Sequence, residues 1–489
     1  MLALISVSDK RELEWFAREL VNLKFRIIST GGTYKFLKSN GIPAVKIEEL
    51  TGFPEILSGR VKTLHPKVHG GILAKSAEDL EGTDIERIDM VVVNLYPFER
   101  FSNADEEAMI ENIDIGGVAL LRAAAKNYKR VITVSSPNQY REVISVLKEG
   151  KNGERWRRKL AMEAFALTAS YDALIYNTLW QRYEEGLPEH LLIARGKIMD
   201  LRYGENPHQR GALYSNDEFF VQHHGKKLSF NNIYDMDSAY SMVLEFEKPA
   251  SVVVKHANPC GAATGKTLSE AFERAWAGDP MSAYGSIVAF NREVDTETAK
   301  LMKKKFIEVV VAPAISEGAL KELSKKKNLR IVEMKTYNKE PYEVRQLRNG
   351  FLMQDWDKSF PSELKVVSKR MPTEDEMRDM MFAWRVVKHV KSNAIVFAKE
   401  EMLIGTGAGQ MSRVDSVELA ARKAGNRAKG AVMASDAFFP FRDAIDSAHN
   451  AGITAVIQPG GSIRDEEVID AVNEHDMAMV MTGIRVFRH

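Results

Sequence analysis

The chain opens on a short apolar run, residues 2–7, followed by Ser8 and Asp9 and then by Leu13, Phe16, Ala17, Leu20 and Val21. Apolar positions three and four apart predict an amphipathic helix, and the β-rich run before it predicts a strand. Ser8 and Asp9 read as the N-cap and first-turn acid of that helix. A second apolar run at 25–29 meets Thr30-Gly31-Gly32-Thr33, and a short helix then ends near Gly41. Runs at 90–93 and 130–134 repeat the strand pattern, with helical segments between them. Strands alternating with helices predict a parallel sheet with helices on both faces. This first domain is expected to span residues 1–195, its last long helices opening at the basic stretch 155–159.

From Gly196 a second domain is expected to run to residue 489. Its strand candidates are 251–255, 287–290, 309–312, 394–398, 431–434, 454–458 and 478–481, with helical patterns in the gaps. The stretch 325–360 is polar and reads as an irregular connector between two halves. Each half follows a strand–loop–helix–strand order, which allows a duplicated α/β unit, although the two halves share little sequence.

Composition narrows the function. Lys plus Arg number 68 and Asp plus Glu 67 in 489 residues, for a net charge of +1. That balance argues against a general nucleic-acid binder, though not against a local cationic pocket. Cys260 is the single cysteine, so neither an intrachain disulfide nor a zinc site of several thiolates is available. The N-terminal run is too short for a signal peptide, and no window reaches the length of a membrane span. The expectation is a soluble cytoplasmic protein.

Two motifs fail on spacing. Gly265-Lys266-Thr267 ends like a phosphate-binding loop, but Cys260 stands where the first glycine is required. Around 405–410, Gln410 occupies the third glycine position of a dinucleotide fingerprint; a glycine-rich turn near a ligand remains the expectation there. The segment 29–33 is more informative. It follows a strand and opens a helix, so its glycines suit either a phosphate at free N–H groups or a plain tight turn. Ser6, Ser8 and Lys10 end the preceding strand and fall at the same sheet edge. The segment 60–71, RVKTLHPKVHGG, is a charge run shaped by Pro66 and two glycines. It suits a phosphate or carboxamide site, while Pro66 and the glycines argue against His65 and His69 presenting a metal from one helix. Asn94 ends a strand, and Tyr96, Asp114 and Lys126, a phenol, a carboxylate and a lysine at strand and helix ends, are candidates for acid–base work, the alternative for each singly being a structural role. In the second domain Lys255-His256 closes an apolar strand. Two adjacent cations lower one another's pKa, which suits a base and a proton donor; the alternative is a solvated strand-end pair.

Together these segments resemble the bifunctional purine-biosynthesis enzymes that join AICAR transformylase to IMP cyclohydrolase. The matching stretches include ISVSDK, STGGT, RVKTLHPKVHGG, NLYPF, IDIGGVALLRAAAKN, LRYGENPHQ, KHANPCG, DPMSAYGSIVAFNREVD, KSNAI, GTGAGQMSRVDS, SDAFFPFRD and TGIRVFRH, in order along the chain. The resemblance implies a methylglyoxal-synthase-like α/β domain followed by a transformylase region of two cytidine-deaminase-like α/β units without catalytic zinc. It implies that Ser8, Lys10, Ser29, Thr30, Gly31, Gly32 and Thr33 hold the nucleotide. Arg60, Lys62, Thr63, Asn94, Tyr96, Asp114, Gly116, Gly117 and Lys126 would line the base as formyl-AICAR closes to IMP, Lys62, Tyr96, Asp114 and Lys126 being the catalytic candidates. In the second domain Arg202, Tyr203, Lys255, Arg413 and Arg485 would grip AICAR and its phosphate. His256 would take the proton of the AICAR amine, and Lys255 would help protonate the folate leaving group. Asn393 would bond the transferring carbonyl or the carboxamide. Tyr284, with Gly285 beside it, and Glu308 fall among the contacts to 10-formyltetrahydrofolate.

The partners so implied are small molecules and a second copy of the chain, a homodimer sharing its transformylase sites, with neither nucleic acid nor membrane. The departures are Tyr284 where Phe is usual, Ser286 for a common Gly, Glu308 where some members carry Asp, and an atypical RQLRNGFLMQD at 345–355. The chain is also shorter than many members, the missing length falling in 325–360. Retention of Lys62, Asp114, Lys126, Lys255, His256 and Asn393 argues against a one-activity enzyme and against a nucleotide-binding scaffold.

Overall fold

A computed structural model describes residues 1–337 and 340–489. Its contacts divide the chain into two compact units, Met1–Arg195 and Gly196–His489.

The first unit is built on five strands, β1 (Leu2–Val7), β2 (Arg26–Ser29), β3 (Val45–Lys46), β4 (Met90–Asn94) and β5 (Ile132–Val134), all parallel in the order β3-β2-β1-β4-β5. Its helices are α1 (Leu13–Asn22), α2 (Gly31–Ser39), α3 (Ile47–Thr51), α4 (Pro66–Leu73), α5 (Glu106–Glu111), α6 (Gly116–Lys126), α7 (Tyr140–Lys148) and α8 (Glu154–Tyr183). The unbroken apolar runs of β1 and β4 follow from burial on both faces. Ala3, Ile5, Val7, Met90 and Val92 enter one core cluster with Leu13 and Phe16 of α1, and Leu2, Leu4, Val91 and Val93 enter the other with Leu120 and Leu121 of α6. Two local expectations change. Helix α1 begins at Leu13 with Glu12 as its N-cap, so Ser8 and Asp9 do not cap it. The basic stretch 155–159 opens one helix of 30 residues rather than several.

The second unit holds strands β6 (Gly196–Asp200), β7 (Ala212–Ser215), β8 (Phe220–His224), β9 (Ala250–Lys255), β10 (Asn258–Thr264), β11 (Ser286–Phe290), β12 (Ile307–Ala312), β13 (Arg330–Met334), β14 (Tyr342–Leu347), β15 (Gly350–Asp355), β16 (Lys365–Val366), β17 (Ile395–Lys399), β18 (Met402–Gly407), β19 (Ala431–Ser435), β20 (Ile453–Gln458) and β21 (Ala478–Met481). Between them lie α9 (Phe230–Val243), α10 (Leu268–Gly278), α11 (Thr296–Leu301), α12 (Glu317–Leu323), α13 (Glu374–Val387), α14 (Arg413–Ala424), α15 (Asp443–Ala451) and α16 (Asp465–Glu474). Twelve of the strands form one mixed sheet in the order β16-β21-β20-β19-β17-β18-β10-β9-β11-β12-β13-β8.

That order is a duplication. Each half runs edge strand, helix, antiparallel hairpin, then three helix–strand steps, and the halves join where β10 meets β18. One face of the joint sheet packs on α9 and α13 through Val252, Val254 and Val396. The other packs on α10–α12 and α14–α16 through separate clusters around Phe272 and Phe439. Glu245 and His389, each two residues beyond the helix that opens its half, meet at 3.1 Å.

The stretch 325–360 departs from expectation. It contains β13, an interior strand of the sheet, and the β14–β15 hairpin, so it is ordered strand for much of its length. Positions 338 and 339 of it lie outside the described residues. The glycines of 405–409 also change role. Gly405 and Gly407 lie in β18, where an added Cβ would come within 2.3 Å of Ala420 O and 2.0 Å of Ser416 O. They let α14 pack directly on the strand, a close approach that needs glycine.

Candidate active sites

In the first unit the carboxyl ends of β1, β2 and β4 meet the start of α2, the usual place for a ligand on an open parallel sheet. The hydroxyls there are largely committed to the scaffold. Ser29 Oγ donates to Ile5 O at 2.8 Å, and Thr33 Oγ1 accepts from Val7 N at 3.1 Å and donates to Val7 O at 3.0 Å. Thr30 Oγ1 shares a 2.8 Å hydrogen bond with Ser6 Oγ, and no side chain caps α2. What this end offers an anion is therefore the backbone N–H groups of Gly31 and its neighbours, reinforced by the helix dipole. Lys62 stands over it. Its Nζ lies 3.5 Å from where a Cβ on Gly31 would be, and it pairs with Glu55 at 3.1 Å.

Asn94 fastens the loop after β1. Its Oδ1 accepts from the amides of Ser8 and Asp9 at 2.7 and 2.8 Å, and its Nδ2 donates to Asp9 O at 2.9 Å. The Ser8 hydroxyl lies 2.9 Å from the same Oδ1 and 2.7 Å from Leu95 O. Lys10 reaches back to Ser8 O at 3.5 Å.

The residue after Lys62 faces a second helix start. Thr63 is buried, with its Oγ1 3.1 Å from the Cβ position of Gly116 at the head of α6. Here Asp114 Oδ1 accepts from Gly117 N at 2.7 Å and Oδ2 from Tyr96 N at 3.4 Å. Its own amide donates to Tyr171 Oη at 2.8 Å, and that hydroxyl donates to Asn112 O at 3.2 Å. Burial holds the Asp114 carboxyl above its ordinary value, and the two amides offset part of this rise. Arg60 is paired with Glu111, and the Tyr96 side chain is exposed. Lys126 does not join them. It is exposed at the far end of α6, whose 11 residues put roughly 15 Å between its ends at ~1.5 Å per residue.

In the second unit Lys255 and Asn258 pair across the β9–β10 hairpin, and His256 and Ala257 form its two-residue turn with φ of 53° and 57°. Positive φ at both positions defines a type I′ turn, which normally takes Asn or Gly. The Asp235 carboxylate of α9 holds it, accepting from His256 N at 3.2 Å and Ala257 N at 2.8 Å. Burial raises the Asp235 carboxyl, and these amides act against the rise. Lys255 Nζ donates to Tyr284 O at 2.7 Å. The Tyr284 ring packs against Phe306 with centroids 4.8 Å apart, and Gly285, at φ 74°, donates its N–H to Phe306 O at 2.8 Å.

Glu308 accepts from Asn232 Nδ2 at 3.1 Å and lies 3.5 Å from Arg330. A cavity of about 470 Å³ opens beside them. It is lined by Arg202, Tyr203, Phe306, Glu308 and Arg330 with six lysines of the 226, 303–305 and 326–327 segments. One carboxylate among eight cationic residues makes its lining strongly cationic and suited to an anion. Arg330 is 5% exposed and its Nε has no partner among the described residues.

A second cluster surrounds Asn393. Its Nδ2 donates to Gln410 O at 3.0 Å and Met411 O at 3.1 Å, and its Oδ1 accepts from Arg413 Nη2 at 2.9 Å. Arg413 is itself buried against Ser435 and Asp436, and its bond to Oδ1 holds the Asn393 carboxamide in place. Ser392 N donates to Arg488 O at 2.8 Å and Val486 N to Asp436 O at 2.9 Å. These bonds bring exposed Arg485 to the same region. Asn258 joins this cluster to the hairpin, donating to His256 O at 3.1 Å and accepting from Lys391 N at 3.0 Å. No group of three metal-ligating side chains occurs among the described residues.

Five site residues were missed by sequence reasoning. Asp235, Asn258, Tyr171, Arg330 and Asp436 act through backbone groups or through other side chains, and only Asn258 and Asp436 fall within recognised stretches.

Comparison with known proteins agrees in both units. A family model described as AICARFT/IMPCHase bienzyme matches residues 124–423, and one described as MGS-like domain matches residues 12–119. The chain is 50% identical to the bifunctional purine biosynthesis protein PurH of Persephonella marina (strain DSM 14350 / EX-H1), covering 100% of this chain and 99% of that one. It is 50% identical to PurH of Aquifex aeolicus (strain VF5), with 100% of both chains covered. It is 49% identical to PurH of Thermoanaerobacter sp. (strain X514), again over 100% of this chain and 99% of that one. A parallel-sheet MGS-like domain followed by a large mixed sheet, together with full-length identity of this degree, places the chain in the AICARFT/IMPCHase bienzyme family, the bifunctional enzymes with AICAR formyltransferase and IMP cyclohydrolase activities that complete purine biosynthesis.

Proposed function

We propose that Met1–Arg195 carries the cyclohydrolase site and Gly196–His489 the transformylase site, with 10-formyltetrahydrofolate as formyl donor. The observation that supports this best is the Lys255-His256 hairpin, its turn amides held by Asp235, beside a cationic cavity large enough for a whole small-molecule ligand.

In the transformylase, the AICAR phosphate enters the cavity at Arg202 and Tyr203. The AICAR amine attacks the formyl carbon, an N–C bond forms, and the folate nitrogen leaves. His256 takes the amine proton, and Lys255, with two N–H groups remaining after its bond to Tyr284 O, stabilises the oxyanion and protonates the leaving nitrogen. Both N–H groups of Asn393 are engaged, so its free lone pair accepts from an AICAR N–H instead of donating to the formyl oxygen. Tyr284 is 63% exposed, and its ring offers an apolar face to the folate pterin.

In the cyclohydrolase, the phosphate lies at the start of α2 under Lys62, and Asp114 orients or deprotonates the carboxamide as its nitrogen closes on the formyl carbon; the ring C–N bond forms, and the formyl oxygen leaves as water with two N–H protons, one from the carboxamide and one from the formylated amine. Proximity and charge stabilisation carry a step in which the nucleophile is weak. Arg413 and Arg485 are assigned to a site completed by a second copy, in a cytoplasmic homodimer. No helix among the described residues is long and apolar enough to cross a membrane.

The test supplies AICAR and 10-formyltetrahydrofolate to purified protein and follows tetrahydrofolate and IMP. Both should accumulate; formyl-AICAR accumulating without IMP contradicts the cyclohydrolase assignment.

A further inference from the structure

The two halves of the second unit repeat one device. In the first half Asp235 of α9 accepts from the amides of His256 and Ala257, 21 and 22 residues along the chain. In the second half Asp379 of α13 accepts from Glu400 N at 2.6 Å and Glu401 N at 2.7 Å, again 21 and 22 residues along. Both turns are left-handed at both residues, Glu400 and Glu401 each having φ 54°. Even the preceding lysines match. Lys399 Nζ donates to Lys429 O at 2.8 Å as Lys255 Nζ does to Tyr284 O at 2.7 Å.

Neither turn contains the glycine or asparagine that a type I′ turn favours, so each is strained, and each has its amides paired with a carboxylate, partly buried at Asp235 and buried at Asp379. The same fold element thus exists in two versions. One carries the proposed base and proton donor. The other carries two glutamates, of which Glu401 is spent on Lys248 at 2.6 Å.

We infer that Asp235 is a positioning residue for formyl transfer, fixing the His256 imidazole by holding the two amides of its turn, and that Asp379 performs the same structural task without a catalytic consequence. This rests on the assignment of His256 as the base. The carboxylate touches neither substrate nor reacting atoms. It determines where the His256 Cα lies and in which direction its side chain leaves the turn. An asparagine can accept at one oxygen but presents an amide N–H to the second turn amide, so one of the two bonds is lost and the turn can relax.

The experiment compares Asp235→Asn, Asp379→Asn and His256→Ala in the full-length enzyme, with formyl transfer and cyclisation of supplied formyl-AICAR measured on each preparation. Asp235→Asn should lower kcat for transfer at least tenfold, with the KM for AICAR within about threefold and cyclisation unchanged; a displacement of about 1 Å at a reacting group is worth up to 10²-fold. Asp379→Asn should lower Tm by a similar amount to Asp235→Asn while keeping kcat for transfer within twofold. If Asp235→Asn does not yield folded enzyme, Asp235→Glu is read in its place. The longer side chain keeps the charge but moves the turn, and the same loss of kcat is expected. Transfer within twofold of wild type in the Asp235 variant overturns the inference, as does an equal loss of kcat in Asp379→Asn. His256→Ala retaining transfer instead overturns the assignment of the base on which the inference rests.

Discussion

Substituting Gly117 by alanine should uncouple the two activities of this enzyme. A Cβ at that position would lie 2.6 Å from Asp114 Oδ2 and 2.9 Å from both Cγ and Oδ1. The head of α6 cannot easily yield, because Leu120 and Leu121 one turn later are buried in the sheet core. The carboxylate must therefore swing aside and give up its 2.7 Å bond from Gly117 N. A hydrogen bond to a charged group is worth about 1.5–3 kcal/mol, and overpacking costs about 1–3 kcal/mol. Against this, replacing Gly by Ala within a helix gains about 1 kcal/mol. The net is a loss of about 1.5–5 kcal/mol of stability, on top of a large loss of cyclisation. A displacement near 1 Å at a reacting group costs about 10²-fold, or about 2.7 kcal/mol at 1.36 kcal/mol per decade. The assay is IMP formation from supplied formyl-AICAR, with formyl transfer followed in the same preparation. The amides of Gly117 and Tyr96 lower the Asp114 pKa, so losing one should also move the acid limb of the residual cyclisation to higher pH. Cyclisation within threefold of wild type, or a parallel loss of both activities, would refute the reasoning.

Asp114→Asn should change the pH dependence of stability as well as activity. Burial raises the Asp114 carboxyl, so its contribution to stability is fullest below the ordinary value near 3.9 and is lost as pH rises through the folded value. The stability of the asparagine variant relative to wild type should therefore rise from about pH 4 to about pH 7 in urea titrations; a difference that does not change with pH would contradict this. Burial pushes the Cys260 thiol up to about 12, so a thiol reagent should label native enzyme negligibly and one thiol per chain in denaturant, and stoichiometric native labelling would show the site to be open. Arg202→Ala should raise the KM for AICAR tenfold or more while leaving binding of the phosphate-free riboside unchanged; equal weakening of both would place the phosphate elsewhere.

Much of this architecture is written in local pattern. The runs at β1 and β4 are continuous because both faces are covered, and the glycines at 31–32 mark a real helix start. Strands β10 and β18 were not legible because their sequences, NPCGAAT and MLIGTG, carry residues that normally signal turns. Their glycines answer instead to helices above the sheet; at Gly261 a Cβ would meet Ala275 O at 2.0 Å. The duplication was hidden for a related reason. The halves preserve shape through Asp235 and Asp379, one interior position in each helix, while the turns they hold read His-Ala in one half and Glu-Glu in the other.

At the sites, Lys255-His256 stood out as a chemical pair, but the roles of Ser29, Thr33, Asn94 and Arg413 did not. Hydroxyl, carboxamide and guanidinium groups serve backbone and ligand equally well, and only their hydrogen-bond partners tell which. Lys126 illustrates the converse, since its membership in a recognised stretch does not bring it to Asp114 along a rigid helix.

The central claim, two chemistries on separate units of one chain, is tested most directly by a complementary pair of variants in the coupled assay. His256→Ala should abolish formyl transfer from 10-formyltetrahydrofolate to AICAR yet cyclise supplied formyl-AICAR at the wild-type rate. Asp114→Asn should transfer formyl normally and accumulate formyl-AICAR without IMP. Loss of both steps in either variant, or retention of transfer within a few-fold in His256→Ala, would contradict the account.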